Sequence, residues 1–419
     1  MRSKRVDLSG ILKVGLTPNS GILPGFSMLK NLRSDGQSLV SCPIESTLKR
    51  AYCVPFSMRS VDYYITATGL FITSTGTAIL AYTWQGPVKI VNLIDVVWLQ
   101  DDVKTYILDG YGVTDVNPSG NTIPLCNSLT QLNGQIVCAG FTGGFNSLDE
   151  SFIGWSEISL DSFLLSKDNT AGFYNPNIGK CLNVLPLQDS LIVLGSRGAC
   201  QMFYSGHIFG FRDLDIPALK SKHLCASSTN LVVYIAKNGD IIKVDKNGSS
   251  ASIGYSWVGE NVVDVKYLNG RNHFVFTTAD NSYVLDDKGM FSFGYKIWGE
   301  HTESLVVDTS FEQATWGFET TELGFNSAGL KFVTEVFVQD NLRGAAQRSV
   351  MLESSGGTNS QGWKTLNSLS ATKYPIVGDT VRINYQSNTK PVITTLVVEI
   401  QDNDRRFGFG YTPYSGRTE

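Results

Sequence analysis

Two adjacent carboxylate pairs, Asp101-Asp102 and Asp286-Asp287, are the residues best suited by type to acid–base chemistry. Carboxylates brought together from distant strands are the equipment of glycosidases, one acting as acid and the other as base or nucleophile. Both pairs fall in turn sequences, however, where Asp is favoured because its side chain accepts hydrogen bonds from the backbone just ahead. A structural role explains them better. The four histidines, His207, His223, His273 and His301, stand beside no Ser or Cys in a nucleophile-elbow context, so a hydrolase triad has no local support.

The run GFYNPNIGK over residues 172–180 has a phosphate-loop look, with glycines and a terminal Lys. Its glycines are too far apart, Cys181 stands where Ser or Thr is needed, and no helix follows to supply an N-terminal dipole. Gly140-Phe141-Thr142-Gly143-Gly144 reads as a turn. Asp402-Asn403-Asp404 opens like a calcium loop but lacks the later Gly and Glu at the required offsets. Seven cysteines (Cys42, Cys53, Cys126, Cys138, Cys181, Cys200, Cys225) include no CxxC pair and none at zinc-ligand spacing from a histidine. They read as buried thiols of a protein folded in a reducing cytosol. Trp155, Trp257, Trp298 and Trp316 could build a sugar platform, yet each lies in a strand-like run, where packing is the default. No catalytic, cofactor-binding or metal-binding residue is assigned. The expectation is a protein that is not an enzyme and carries no cofactor.

The elements around these residues are strands. Between residues 183 and 287, apolar runs at 191–194, 231–235 and 273–277 are each followed by a small polar turn and a second strand, at 201–204, 241–244 and 282–285. Runs of Val, Ile, Phe and Tyr bounded by Gly, Asn, Asp and Ser are hairpin signals. Their recurrence roughly every 40 residues is the spacing of propeller blades, units that are stable only when stacked around an axis.

Composition agrees with many turns and few helices: 41 glycines, 42% apolar and only 17% charged residues. The formal net charge of −4 gives no general attraction to nucleic acid or acidic membranes, and Lys and Arg are scattered with no basic stripe. No apolar core of signal-peptide type follows the basic start, and no run is long enough to span a membrane.

Taken in order, residues 1–55 carry several turn-formers but too many apolar positions (Ile11, Leu12, Val14, Leu16, Ile22, Leu23) for a free tail, and read as an extended arm packed on a body or a neighbour. Strands then follow at 61–66, 69–74, 78–84, 96–99, 104–108, 112–116, 129–132, 135–140, 152–157 and 160–165. Asn133-Gly134 gives a hairpin turn. Segments 304–309 and 315–322 either close the ring or lead out of it. Beyond these, 331–339, 348–353, 380–386 and 393–402 alternate with period two, separated by loops at 356–360 and 375–379, while 405–419 reads as a surface tail or docking arm. The fold class is therefore all-β: a propeller-like body of about six to seven blades over residues 56–327, then a small antiparallel β-sandwich and tail over 328–419.

One resemblance rests on the order of features between Trp155 and Ile253. Trp155-Ser156-Glu157, the stretch 191–195, the aromatic turn 203–206 and the Asn238-Gly239-Asp240 hairpin resemble the tail-hub or nozzle proteins of short-tailed phages, the packaged-DNA-stabilisation group. It covers about a hundred residues, and after the propeller the chain departs from it. The resemblance implies a structural virion subunit, made in the host cytoplasm and assembled with other copies, as a hexamer, into a ring or tube below the portal and adaptor. Its implied partners are the portal-side adaptor, tail fibre or needle proteins, and double-stranded DNA passing non-specifically. A slightly acidic wall suits a conduit, since a strongly basic one would hold phosphates. The rival expectation is a carbohydrate-binding or carbohydrate-active propeller, with convergent carboxylates and an exposed Trp in a central pocket.

Overall fold

A computed structural model describes residues 3–13, 16–17, 26–42, 47–49, 53–93, 95–116, 123–143, 145–158, 163, 170–206, 208–301, 304–308, 315–323, 331–342, 348–355, 361–365, 371–378 and 380–402. The chain forms two compact units. One spans Glu45–Ser282 and Tyr295–Ser310, and the other Met1–Ile44, Tyr283–Gly294 and Phe311–Glu419.

The first unit is a β-propeller. Five successive four-stranded antiparallel sheets begin at Val54–Met58, Lys89–Asn92, Cys126–Leu132, Cys181–Leu187 and Cys225–Ser227. A sixth is led by the pair Asp264–Leu268 and His273–Thr277. In the seventh, Ile297–Glu300 pairs with Leu305–Val307, which takes Thr47–Lys49 as a parallel third strand. A strand preceding the first sheet thus completes the last. Leading strands pack on one another in order from Lys89–Asn92 to Ile297–Glu300, and Ile297–Glu300 returns to Val54–Met58.

Stacking explains why many strands read as unbroken apolar runs. A sheet covered on both faces needs apolar residues at every position. In the second sheet, Val97 and Leu99 pack with Phe56, Ile65 and Leu70 of the first. Trp98, between them, packs with Ile136, Cys138 and Phe141 of the third. Ser190–Gly195 of the fourth sheet is buried along its whole length. Glycines on some strands accept a neighbour's ring: a Cβ on Gly172 would lie 2.5 Å from the Trp155 ring, and one on Gly210 2.7 Å from the Phe203 ring. Trp155↔Gly172 and Phe203↔Gly210 are direct cross-strand partners, so ring covers bare backbone.

The hairpins follow their turn chemistry. Asn133 and Gly134 both have positive φ, 51° and 76°, as a two-residue primed turn requires. Gly239 has φ 87°, and its carbonyl oxygen lies 2.1 Å from where a Cβ on Gly259 would stand. Replacing Gly239 with Val is expected to cost about 1–3 kcal/mol, read from the melting temperature. An unchanged melting temperature would contradict a strained turn there.

In the second unit, one sheet runs Met290–Phe293, Phe26–Lys30, Trp316–Thr320, Thr380–Ser387, Arg348–Ser355, Gln361–Thr365. The other runs Leu32–Ser34, Leu39–Ser41, Val392–Asp402, Lys331–Asp340, Ala371–Gly378, with Ser3–Asp7 also paired to Val392–Asp402. The alternation expected at Val381, Ile383 and Tyr385 is buried at every second position, as is Leu396, Val398 and Ile400. Residues 1–55 therefore contribute strands to both units. Within the expected segment 304–309, Leu305–Val307 closes the propeller, and 315–322 belongs to the second unit.

The loop expected at 375–379 is corrected to the strand Ala371–Gly378. Pro375 is tolerated because this strand lies at the end of its sheet, beside a register shift between Val333 and Glu335. Of the expected strand 160–165 only Phe163 is among the described residues, and segments 356–360 and 405–419 lie outside them.

Candidate functional site

The carboxylates singled out for chemistry are engaged in turns. Asp101 is fully buried between the second and third strands of its sheet. Its Oδ1 accepts from the backbone N–H of Val103 and Lys104 (2.8 and 2.6 Å), and its Oδ2 from that of Gln85 (2.8 Å). Burial first, and then this neighbouring carboxylate, push the Tyr82 pKa up. Asp102, next along, is exposed and pairs with Lys89 at 3.2 Å. Asp286 Oδ1 accepts from Lys288 and Gly289 N–H (2.8 and 2.9 Å), and Asp287 is exposed beside Lys288. Asp109 and Asp245 close hairpins by the same geometry.

Asp35 does so as well. Its two N–H donors, Ser38 and Gln37, hold its carboxyl below the usual range. A depressed folded-state pKa adds stability above the unfolded value of about 3.9, which is lost as pH falls through the folded one. Wild-type protein should therefore lose more melting temperature between about pH 5 and pH 3 than Asp35→Asn, which keeps an acceptor but does not titrate. Equal losses would show that this turn does not contribute.

The other sequence candidates also resolve into structure. The glycine-bounded run 172–180 is an outer strand, Gly172–Tyr174, followed by an Asn175 turn. Lys180 at its end pairs with Glu150. All seven cysteines are buried and none is in a disulfide. His301 is buried, with Nε2 3.1 Å from the Tyr63 carbonyl oxygen. Trp298 and Trp316 are core residues, and Trp155 Nε1 donates to the Thr170 carbonyl at 2.9 Å. His207 and residues 403–404 lie outside the described residues. Among the described residues no group of three potential metal ligands converges, and no helix is long and apolar enough to cross a membrane.

Two features remain as places where the propeller could meet a partner. The first is a cavity of about 340 Å³ lined by leading strands, with Asn92, Ser128, Thr130, Gln131 and Asn183 as its polar groups. Ser128 Oγ and Asn183 Oδ1 are 2.8 Å apart, and Asn183 Nδ2 donates to the Lys222 carbonyl at 2.6 Å. No charged side chain lines it. Beside Lys222, His223 has its pKa lowered, by burial first and by Lys222 next.

The second feature is an aromatic surface on the third and fourth sheets. Phe173, Tyr174, Phe203, Tyr204 and Ile208 are exposed there. Tyr174 stacks on Phe211 at 4.1 Å, Trp155 meets Phe209 edge-on at 5.1 Å and Tyr204 meets Phe209 edge-on at 5.6 Å, so exposed Tyr174 and Tyr204 share one aromatic seam between the two sheets, while Phe173 and Phe203, opposite Gly154 and Gly210, stand on the other faces. Contiguous exposed apolar surface marks interaction sites. The sequence does carry a signal for it, the Gly-aromatic runs Gly172-Phe173-Tyr174 and Phe209-Gly210-Phe211, but not one that tells surface from core.

No family model matches the chain, and no curated protein matches it. Solved structures similar to it include PorZ of the Porphyromonas gingivalis type-IX secretion system, at 12% identity and TM-score 0.37 over 66% of this chain. The aligned part is 36% of PorZ, about a third of its length. BamB from Moraxella catarrhalis is similar at 10% identity, TM-score 0.37, over 75% of this chain and 95% of BamB. The WD40 β-propeller domain of Doa1 is similar at 12% identity, TM-score 0.37, over 63% and 92%. The propeller assignment rests on the succession of sheets described above.

Proposed function

We propose that this chain is a structural, non-catalytic subunit of a short-tailed phage tail hub or nozzle, assembling with other copies into a ring or tube around the DNA channel. The observation that carries the reading is the aromatic surface spanning two propeller sheets, a feature suited to subunit contact. The sequence resemblance supports it. Its motif residues fall in consecutive sheets: Trp155 ends a strand of the third, Ser190–Gly195 and Ala199–Tyr204 lie in the fourth, and Asn238-Gly239-Asp240 turns the fifth. The engagement of Asp101 and Asp286 in turns favours this reading over a glycosidase-like site.

The test is the native mass of the purified chain by light scattering, with negative-stain imaging, alone and then mixed with virion proteins. A ring with a central hole, or incorporation into a tail, is the expected result. A persistent monomer that joins no particle, together with glycan binding, would replace this reading with the carbohydrate-binding one.

A further inference from the structure

Strand Phe209–Leu214 is the outermost of the fourth sheet, and so presents a backbone edge that another strand can extend. Along one of its faces stand Phe209, Phe211 and Asp213, since successive side chains alternate. Asp213 is exposed, and no ion pair of it occurs among the described residues. The described chain ends at Asp402, with residues 403–419 beyond it. Within that stretch Arg405, Phe407, Phe409 and Tyr411 recur at period two, with Gly408 and Gly410 between the rings. In an extended conformation they share one face.

We infer that residues 405–411 of a second copy add as an antiparallel strand to the edge of Phe209–Leu214. One register satisfies three pairs together: Arg405 opposite Asp213, Phe407 opposite Phe211, and Phe409 opposite Phe209. Opposite charges and paired aromatics are the favourable cross-strand combinations. Gly408 then faces Gly210, whose surface the Phe203 ring covers. On the reverse face this register sets Arg406 opposite Arg212, a like-charge pair that works against it, with the Arg212 guanidinium turned to Gln201 Oε1 and the Asn247 carbonyl. The occupant is a second copy of this chain, so the inference rests on the assembly reading above and names the contact that would build it.

Charge reversal in the full-length chain tests the register. Asp213→Arg and Arg405→Asp should each weaken self-association about tenfold or more, because each opposes like charges. An equimolar mixture of the two variants should recover it, since each tail then finds an opposite charge on the other copy. Phe409→Ala should weaken association without lowering the melting temperature of the monomer. Recovery in the double variant but not in the mixture would assign the tail to its own chain and overturn the second-copy contact. Wild-type rings that both single variants form equally well would remove this inference alone. A wild-type chain that never associates would remove the assembly reading with it.

Discussion

Arg348→Ala is expected to destabilise the second unit by about 3–5 kcal/mol, the cost of leaving a buried charge without its partner. Arg348 and Asp340 are 4% and 0% exposed, and the guanidinium donates to Asp340 Oδ1 at 2.5 Å. The same oxygen accepts from Leu342 N–H at 3.0 Å, and Oδ2 accepts from the Tyr385 hydroxyl at 3.1 Å. Burial, and then the neighbouring carboxylate, hold the Tyr385 phenol protonated and therefore a donor. The pair ties together three strands, since Asp340 ends Lys331–Asp340 while Arg348 and Tyr385 lie on Arg348–Ser355 and Thr380–Ser387. Asp340→Asn combined with Arg348→Met removes both charges and keeps an acceptor for Leu342. It should recover at least half of the loss, because the charges are expensive to bury and are worth more as a match than singly. Urea denaturation followed by circular dichroism reads both. A loss below about 1 kcal/mol for Arg348→Ala would mean that water reaches the site and screens it.

Much of the propeller is legible in the sequence because burial on both faces writes itself as an apolar run. Val61–Thr66, His273–Thr277 and Ser282–Leu285 fall where the runs and turns place them. Leading strands such as Lys89–Asn92 and Cys181–Leu187 are harder to see. They carry Asn92, Asn183 and Pro186, which line the cavity described above and break the apolar pattern. The closure by Thr47–Lys49 is invisible locally, being a three-residue parallel pairing with a strand more than two hundred residues later. The aromatic surface is hidden for a different reason. Trp155 and Phe203 look like core residues in a strand, and only the register that sets them over Gly172 and Gly210 shows how their neighbours come to the outside. As for chemistry, the preference of Asp for turns foretold the fate of Asp101 and Asp286, but not that one of them is completely buried.

Asp101 separates a structural carboxylate from a catalytic one most sharply, because the two roles predict opposite outcomes. If its work is to hold the Asp101–Lys104 turn and the approach of Gln85, then Asp101→Ala strands three backbone N–H groups. At roughly 1 kcal/mol for each lost bond, and more where the donor stays buried, the loss should reach about 3 kcal/mol. Asp101→Asn retains an Oδ1 acceptor for Val103 and Lys104, gives up the contact to Gln85, and should cost about 1 kcal/mol. Asp102→Ala, next in sequence, removes only an exposed partner of Lys89 and should change stability by no more than about 0.5 kcal/mol. The steep gradient between neighbours is the signature of a turn anchor, since a glycosidase pair would give stable, folded variants that differ in turnover. Thermal melts of the three variants, run beside a glycan-hydrolysis screen, separate the cases. Folded Asp102→Ala protein that has lost a measurable hydrolytic activity of the wild type would return the pair to catalysis. A large stability loss confined to Asp101 would leave the propeller's acidic turns as architecture.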